Sequence, residues 1–276
     1  MNVADRQKPA PGELFVDHIA HFVADLDAAA RIFESLGMKV TATSVHHTPE
    51  GPAGTSNRLV MLEQGYIELL SPTHDTPTAN RARALMARYD GVHLVCYGTP
   101  DAEAEHRRLA AHGFEPQPLV DLSRERGTIR FKVVRVPPEK MAEGRIQYVQ
   151  QLTPEQIWRA ESVNPLRLEQ VFVVARNPTE TAARWARFAG LIPSAVRDGV
   201  ELETARGRIF IGKRTTIAKR LGDAPPAPGI AGYALACRHP EKLAARCKAA
   251  GIKVQKHGKR YSAALPKALG GAWLFG

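Results

Sequence analysis

Two stretches decide the reading: Val16-Asp17-His18-Ile19-Ala20-His21-Phe22 and Gly91-Val92-His93-Leu94-Val95-Cys96-Tyr97. Each is an apolar run rich in β-formers with a histidine near its start. Each is followed by an amphipathic stretch that opens on an acid and stops at a glycine, over 25–37 and 101–113. Glycine is the usual residue just past a helix end. Further on, Tyr66-Ile67-Glu68-Leu69-Leu70-Ser71-Pro72 parallels Tyr148-Val149-Gln150-Gln151-Leu152-Thr153-Pro154, and Asn57-Arg58-Leu59 parallels Ile129-Arg130-Phe131. The order in both copies is strand, helix, then three strands: a βαβββ unit of roughly 60–75 residues, used twice.

A fainter version runs through the second half. Gln170-Val171-Phe172-Val173-Val174 reads as a strand, and Asn177-Pro178-Thr179 opens a helix that ends at Gly190. Short strands are expected around 200–202 and 208–211. Gly232-Tyr233-Ala234-Leu235-Ala236 restarts the pattern, a helix runs from Pro240 to Gly251, and Ala272-Trp273-Leu274-Phe275 ends it. A Pro/Ala/Gly loop over 224–229 separates the last two units. The expectation is an α+β protein of four βαβββ modules in two pairs. Residues 1–158 form the first domain and 159–276 the second, with the boundary near 158–165.

Length and composition agree. A chain of 276 residues holds one large domain or two small ones, and 44% hydrophobic with 24% charged residues is ordinary for a globular protein. That excludes disordered, collagen-like and disulfide-scaffold classes. No window approaches 18 apolar residues, and MNVADRQKPAPGE lacks an apolar signal core, so neither a membrane span nor a secretory leader is expected. Cys96, Cys237 and Cys247 show no CxxC spacing and read as reduced thiols of a cytoplasmic protein. The net charge of +10 is uneven: 17 Lys+Arg face 20 Asp+Glu in 1–158, and 21 face 8 in 159–276. The basic residues are spread out, and Lys213-Arg214 with Lys219-Arg220 have no interleaved aromatics to stack bases. A solvated basic surface is therefore expected, and nucleic acid is not an expected partner.

Side chains alternate faces along a strand, so equivalent positions in equivalent strands share a side. If two units pair with pseudo-twofold symmetry, His18 and His93 become mates, as do Glu68 and Gln150. A lone histidine at a strand start is more often a core residue. Recurrence of His and Glu/Gln at matched positions favours ligands, and a carboxylate inside an apolar strand is costly without a partner. His18, Glu68, His93 and Gln150 are thus expected to hold a divalent metal, with Zn, Ni, Co, Mn and Fe all compatible, leaving two octahedral positions for a substrate with adjacent oxygens. Glu68 is the candidate base for an enolate-forming reaction. His21, at odd spacing from His18, is expected on the other face. His46 and His47, in a loop over 46–55, line a pocket mouth or are solvated. Asn57 is a substrate hydrogen-bond candidate. Arg58 and Arg130 bind a substrate anion or form salt bridges.

These residues resemble the vicinal-oxygen-chelate superfamily, which includes glyoxalase I, methylmalonyl-CoA epimerase, extradiol dioxygenases and bleomycin-resistance proteins. Asp17-His18-Ile19-Ala20-His21 with Tyr66-Ile67-Glu68-Leu69-Leu70 looks most like its glyoxalase-like branch. The resemblance implies paired half-barrels and a metal on His18, Glu68 and His93. Gln150 stands where many members have Glu, which leaves Glu68 as the single carboxylate. The second pair, with Gln170 and Tyr233 at the histidine positions and no acid in its last strand, is expected to hold no metal. The implied function is metal-dependent isomerisation, epimerisation or lysis of a small vicinal-oxygen substrate through a stabilised enolate. The alternatives are an Fe(II) ring-cleaving dioxygenase using His18, His93 and Glu68, and a non-catalytic, resistance-type binding protein. Pairing within one chain is favoured, and a homodimer remains open.

Overall fold

The computed structural model describes residues 3–276. The strand–helix–three-strand unit occurs four times. Module one is β1 (Phe15–Phe22), helix Leu26–Ser35, β2 (Ser44–Thr48), β3 (Gly51–Gln64) and β4 (Tyr66–Pro72). Module two is β5 (Gly91–Gly98), helix Ala102–Ala111, β6 (Val120–Arg124), β7 (Ile129–Arg135) and β8 (Arg145–Gln151). Module three is β9 (Asn164–Val174), helix Pro178–Ala189, β10 (Pro193–Val196), β11 (Gly199–Glu203) and β12 (Arg208–Gly212). Module four is β13 (Gly229–Cys237), helix Pro240–Ala249, β14 (Val254–His257), β15 (Arg260–Ala264) and β16 (Ala272–Phe275). The helix starts follow from short polar caps. The side chains of Asp25, Asp101 and Asn177 accept the free N–H groups of the first turn. Gly190 ends the third helix in the left-handed conformation, where a side chain would be strained.

Within every module the first and last strands pair in parallel: β1 with β4, β5 with β8, β9 with β12 and β13 with β16. Modules one and two join through antiparallel β1 and β5. The far strands β2 and β6 meet at His47 and Ser123, which closes an eight-stranded barrel inside one chain. Modules three and four join through β9 and β13. Their outer strands β10 and β14 do not pair with each other, so this pair is an open arch.

The two pairs are joined edge to edge by β3–β9 and β5–β13. One apolar core runs through both, with Phe33, Tyr97, Trp185, Tyr233 and Trp273 fully buried in it. Glu143, itself buried, accepts the indole N–H of Trp185 at 3.0 Å and pairs with Arg184, which ties modules two and three.

The expected loop over 46–55 is strand: it holds most of β2 and the start of β3. Gly51, Pro52 and Gly54 read as turn punctuation in the sequence, yet they lie on a short hairpin that completes the barrel wall. The three cysteines are free, with Cys96 and Cys247 buried. Among the described residues no helix is long and apolar enough to cross a membrane.

Candidate active site

The interior of the first barrel is a cavity of about 40 Å³. Strand periodicity builds it. From β1 comes His18, from β4 come Tyr66, Glu68 and Leu70, and from β8 come Arg145, Gln147, Val149 and Gln151. Across from these, β2 contributes His46, β3 Thr55 and Asn57, β6 Arg124, and β7 Phe131, Val133 and Arg135.

Glu68 is the centre of the polar network and is 6% exposed. Asn57 Nδ2 donates to Glu68 Oε1 at 2.7 Å and lies 3.1 Å from His46 Nε2. His18 Nε2 is 3.8 Å from Glu68 Oε2, and His46 Nε2 is 3.7 Å from Oε1. Behind His18, Asp17 Oδ1 accepts from Nδ1 at 2.6 Å, which turns Nε2 toward the cavity. Tyr66 stacks on the His18 ring at 4.3 Å and fixes its plane. Burial raises the Glu68 pKa, but His18, His46, the Asn57 amide and Arg124 together outweigh it, so the net shift is downward and the carboxylate is ionised at neutral pH. Desolvation, opposed by Glu68 and reinforced by the arginines, pushes His46 down to about 3, so that ring is neutral.

Three arginines dominate the rest of the wall. Arg124 is 3% exposed, donates to Asn57 Oδ1 at 3.3 Å, and its Nε has no partner. Arg135 Nε donates to Gln147 Oε1 at 3.3 Å, and Arg145 donates to the Thr78 carbonyl at 3.3 Å. The carboxylates at this site, Asp17 and Glu68, pair with histidines instead. Desolvation and the neighbouring Arg81 guanidinium push Arg135 down to about 10; desolvation and Arg135 push Arg145 down to about 9. Both remain charged at neutral pH, and their clustering makes the cavity a place for an anion.

The expected metal set does not assemble. His18 and Glu68 converge, but His93 and Gln150 face away from the cavity. His93 is packed against Tyr89, 4.3 Å between ring centroids, with Nε2 2.9 Å from the Tyr89 carbonyl oxygen, and Leu94 takes the inward position. Gln150 accepts from Ala102 N at 3.1 Å and donates to the Pro100 carbonyl, holding the start of helix Ala102–Ala111. The cause is a register error of one residue. Aligning Tyr66 with Tyr148 pairs an inward ring with an outward one, since Tyr148 packs on Phe188 in the outer core. A slip of one flips every side chain to the other face. The β8 glutamines that reach the cavity are Gln147 and Gln151.

The two-histidine, one-carboxylate set of His18, His93 and Glu68 fails for the same reason. Among the described residues no three His, Cys, Asp or Glu side chains are placed to hold a metal ion. The lone pairs of Glu68 Oε1 and His46 Nε2 that face each other are taken up by the Asn57 amide.

Of the expected substrate contacts, His46 and Asn57 line the cavity and Arg58 and Arg130 do not. Arg58 lies on the outer face and pairs with Asp27 at 3.1 Å and Glu34 at 3.0 Å on helix Leu26–Ser35. Arg130 is solvent-exposed. His21 is on the face opposite His18, with Nδ1 3.0 Å from the Leu269 carbonyl and Nε2 3.1 Å from the Tyr233 hydroxyl. Arg124, Arg135 and Arg145 are not among the expected contacts. For Arg145 the sequence carries a signal in the alternation Arg145-Ile146-Gln147-Tyr148, polar inward and apolar outward.

A family model described as a glyoxalase-like domain matches residues 16–189. The chain belongs to this family. The glyoxalase-like match begins on β1 and runs through the whole barrel into module three. Solved structures share the fold at low identity. A hypothetical protein from Staphylococcus aureus aligns with TM-score 0.69 at 15% identity, covering 95% of this chain and 98% of that one. The Mn(II)-bound glyoxalase from Novosphingobium aromaticivorans aligns at 0.58 and 12%, over 94% and 80%. A variant of 4-hydroxymandelate synthase from Streptomyces coelicolor aligns at 0.52 and 14%, over 94% and 92%. No curated protein gives a significant sequence match.

Proposed function

We propose that this glyoxalase-like protein is an enzyme that moves a proton on a small, oxygen-rich, anionic substrate inside the first barrel, with Glu68 as the base. The observation that carries this reading is a buried Glu68 next to an oriented imidazole, facing guanidiniums without carboxylate partners. Glu68 removes a proton from a carbon next to a carbonyl. Negative charge then develops on the carbonyl oxygen, and the guanidinium of Arg124 or Arg145, fixed before the reaction, stabilises it. His18 Nε2, 3.8 Å from Glu68 Oε2 and oriented by Asp17, is placed to take the abstracted proton from Glu68 and return it elsewhere on the enolate. Isomerisation, epimerisation and lysis share this step.

The Mn(II)-bound relative raises the question of metal dependence here. The donor set expected from the sequence does not converge, so no step of this mechanism passes through a metal. The reading is tested by incubating the protein in deuterium oxide with a panel of 2-oxo acids and following the protons at carbon 3 by NMR. Exchange that is catalysed and undiminished by EDTA is the expected result. Tight binding without exchange would overturn the reading and leave a binding protein. Exchange lost with EDTA and restored by Mn(II) would overturn the metal-free step.

A further inference from the structure

A second cavity, of about 270 Å³, lies between helix Pro77–Met86 and the connection from β7 to β8. Its wall is mostly apolar, with Leu85, Val136, Met141 and Ile146, although Arg81 and Arg88 also line it. Arg135 and Arg145 line this cavity and the polar barrel interior alike. The two arginines thus form a wall common to both spaces, one small and polar, the other larger and apolar. An apolar cavity with a few convergent polar groups is the usual form of a small-molecule site.

We propose that the substrate is an amphipathic carboxylate: its acid group lies between Arg135 and Arg145, its reacting carbon lies toward Glu68, and its apolar tail fills the cavity beside helix Pro77–Met86. This rests on the proposed proton transfer for the position of the reacting carbon alone. The guanidinium fork matches a planar carboxylate, and the 40 Å³ interior suits a flat head of a few atoms. The tail cavity corresponds to roughly nine water volumes, so a tail on the order of eight heavy atoms fills it. A short aliphatic chain or a single aromatic ring has this size.

Calorimetric titration of the whole protein with 2-oxobutanoate, 2-oxohexanoate, 2-oxooctanoate and the neutral 2-octanone tests the proposal. The dissociation constant is expected to fall about fourfold per added methylene, the equivalent of 0.8 kcal/mol. 2-Octanone is expected to bind at least tenfold more weakly than 2-oxooctanoate, because it lacks the charged hydrogen bonds. Arg145→Gln should weaken the three acids and leave 2-octanone unchanged. Ala84→Phe, at an exposed position on the cavity wall, should remove the chain-length gain and spare 2-oxobutanoate. Affinity that ignores chain length in the wild type, or falls equally for all four ligands in either variant, would overturn the proposal. The wild-type protein separates the two readings: a chain-length gradient without proton exchange removes the proposed reaction and keeps this site; exchange without the gradient does the reverse.

Discussion

The closed barrel and the open arch are built from the same repeat, yet only one has a polar interior. In the barrel, the β1–β4 register sets Ala20 beside Glu68. In the arch, the corresponding β9–β12 register sets Phe172 beside Phe210. The concave side of the arch is filled by Phe172, Val174, Phe210, Ile217 and Leu221, the last two from helix Arg214–Leu221. Gln170, which stands where the barrel has His18, is bonded to Glu201 at 2.6 Å. In the barrel the segment after the last strand of its first module, helix Pro77–Met86, lies over a cavity instead of filling it. Duplication supplies two equal frames, and the inward side chains of each decide whether it becomes core or site.

The difference is broken most severely by placing a charge in the arch. Phe210→Glu buries a carboxylate among apolar side chains and should cost about 4 kcal/mol in urea unfolding. An unchanged midpoint would mean that the arch interior is wet. In the barrel, Glu68→Gln keeps the shape and removes the base. Proton exchange should then slow roughly 10²–10⁴-fold while ligand affinity holds.

Acid should act on the seam between the halves and also on the barrel site, where His46 is pushed down to about 3. His21 and His93 are buried, and burial pushes them down to about 3 and about 4. Both pKa values are depressed below the unfolded value near 6.5, so stability is fully present above pH 6.5 and is lost as pH falls toward 4. Each histidine contributes up to about 1.4 kcal/mol per pH unit to that slope. Urea midpoints at pH 7.5, 6 and 5 measure it, and His21→Asn should make the slope shallower.

The smallest effects are expected from the outer face. Arg58→Ala breaks ion pairs to exposed carboxylates and should cost under about 1 kcal/mol without slowing exchange. Arg130→Ala should cost less still.

The fold was legible because it depends on period and order. Apolar runs with period two, acid-to-glycine amphipathic stretches and their repetition locate all four modules, and small errors in alignment do not change that. A site is less forgiving, since the identity of the inward residue changes with a shift of one. His18, Asn57 and Glu68 stand out chemically, each in its own strand, whereas His46 reads as a loop residue at a pocket mouth or in solvent. His93 and Gln150 were assigned by alignment to those strands, and the β-bulge between Ala20 and His21, opposite Leu94 and Val92, is a local irregularity that alignment does not see. The inward arginines carry no such mark, because arginine reads as surface until its neighbours on both sides are recognised as outward.

The central claim is that the closed barrel, and not the arch, is the reacting half. A crystal structure of the protein with 2-oxooctanoate tests it most directly. The ligand's carboxylate should lie between Arg135 and Arg145, with carbon 3 turned toward Glu68. Ligand density lying against Phe210 in the arch, or outside both halves, would contradict it.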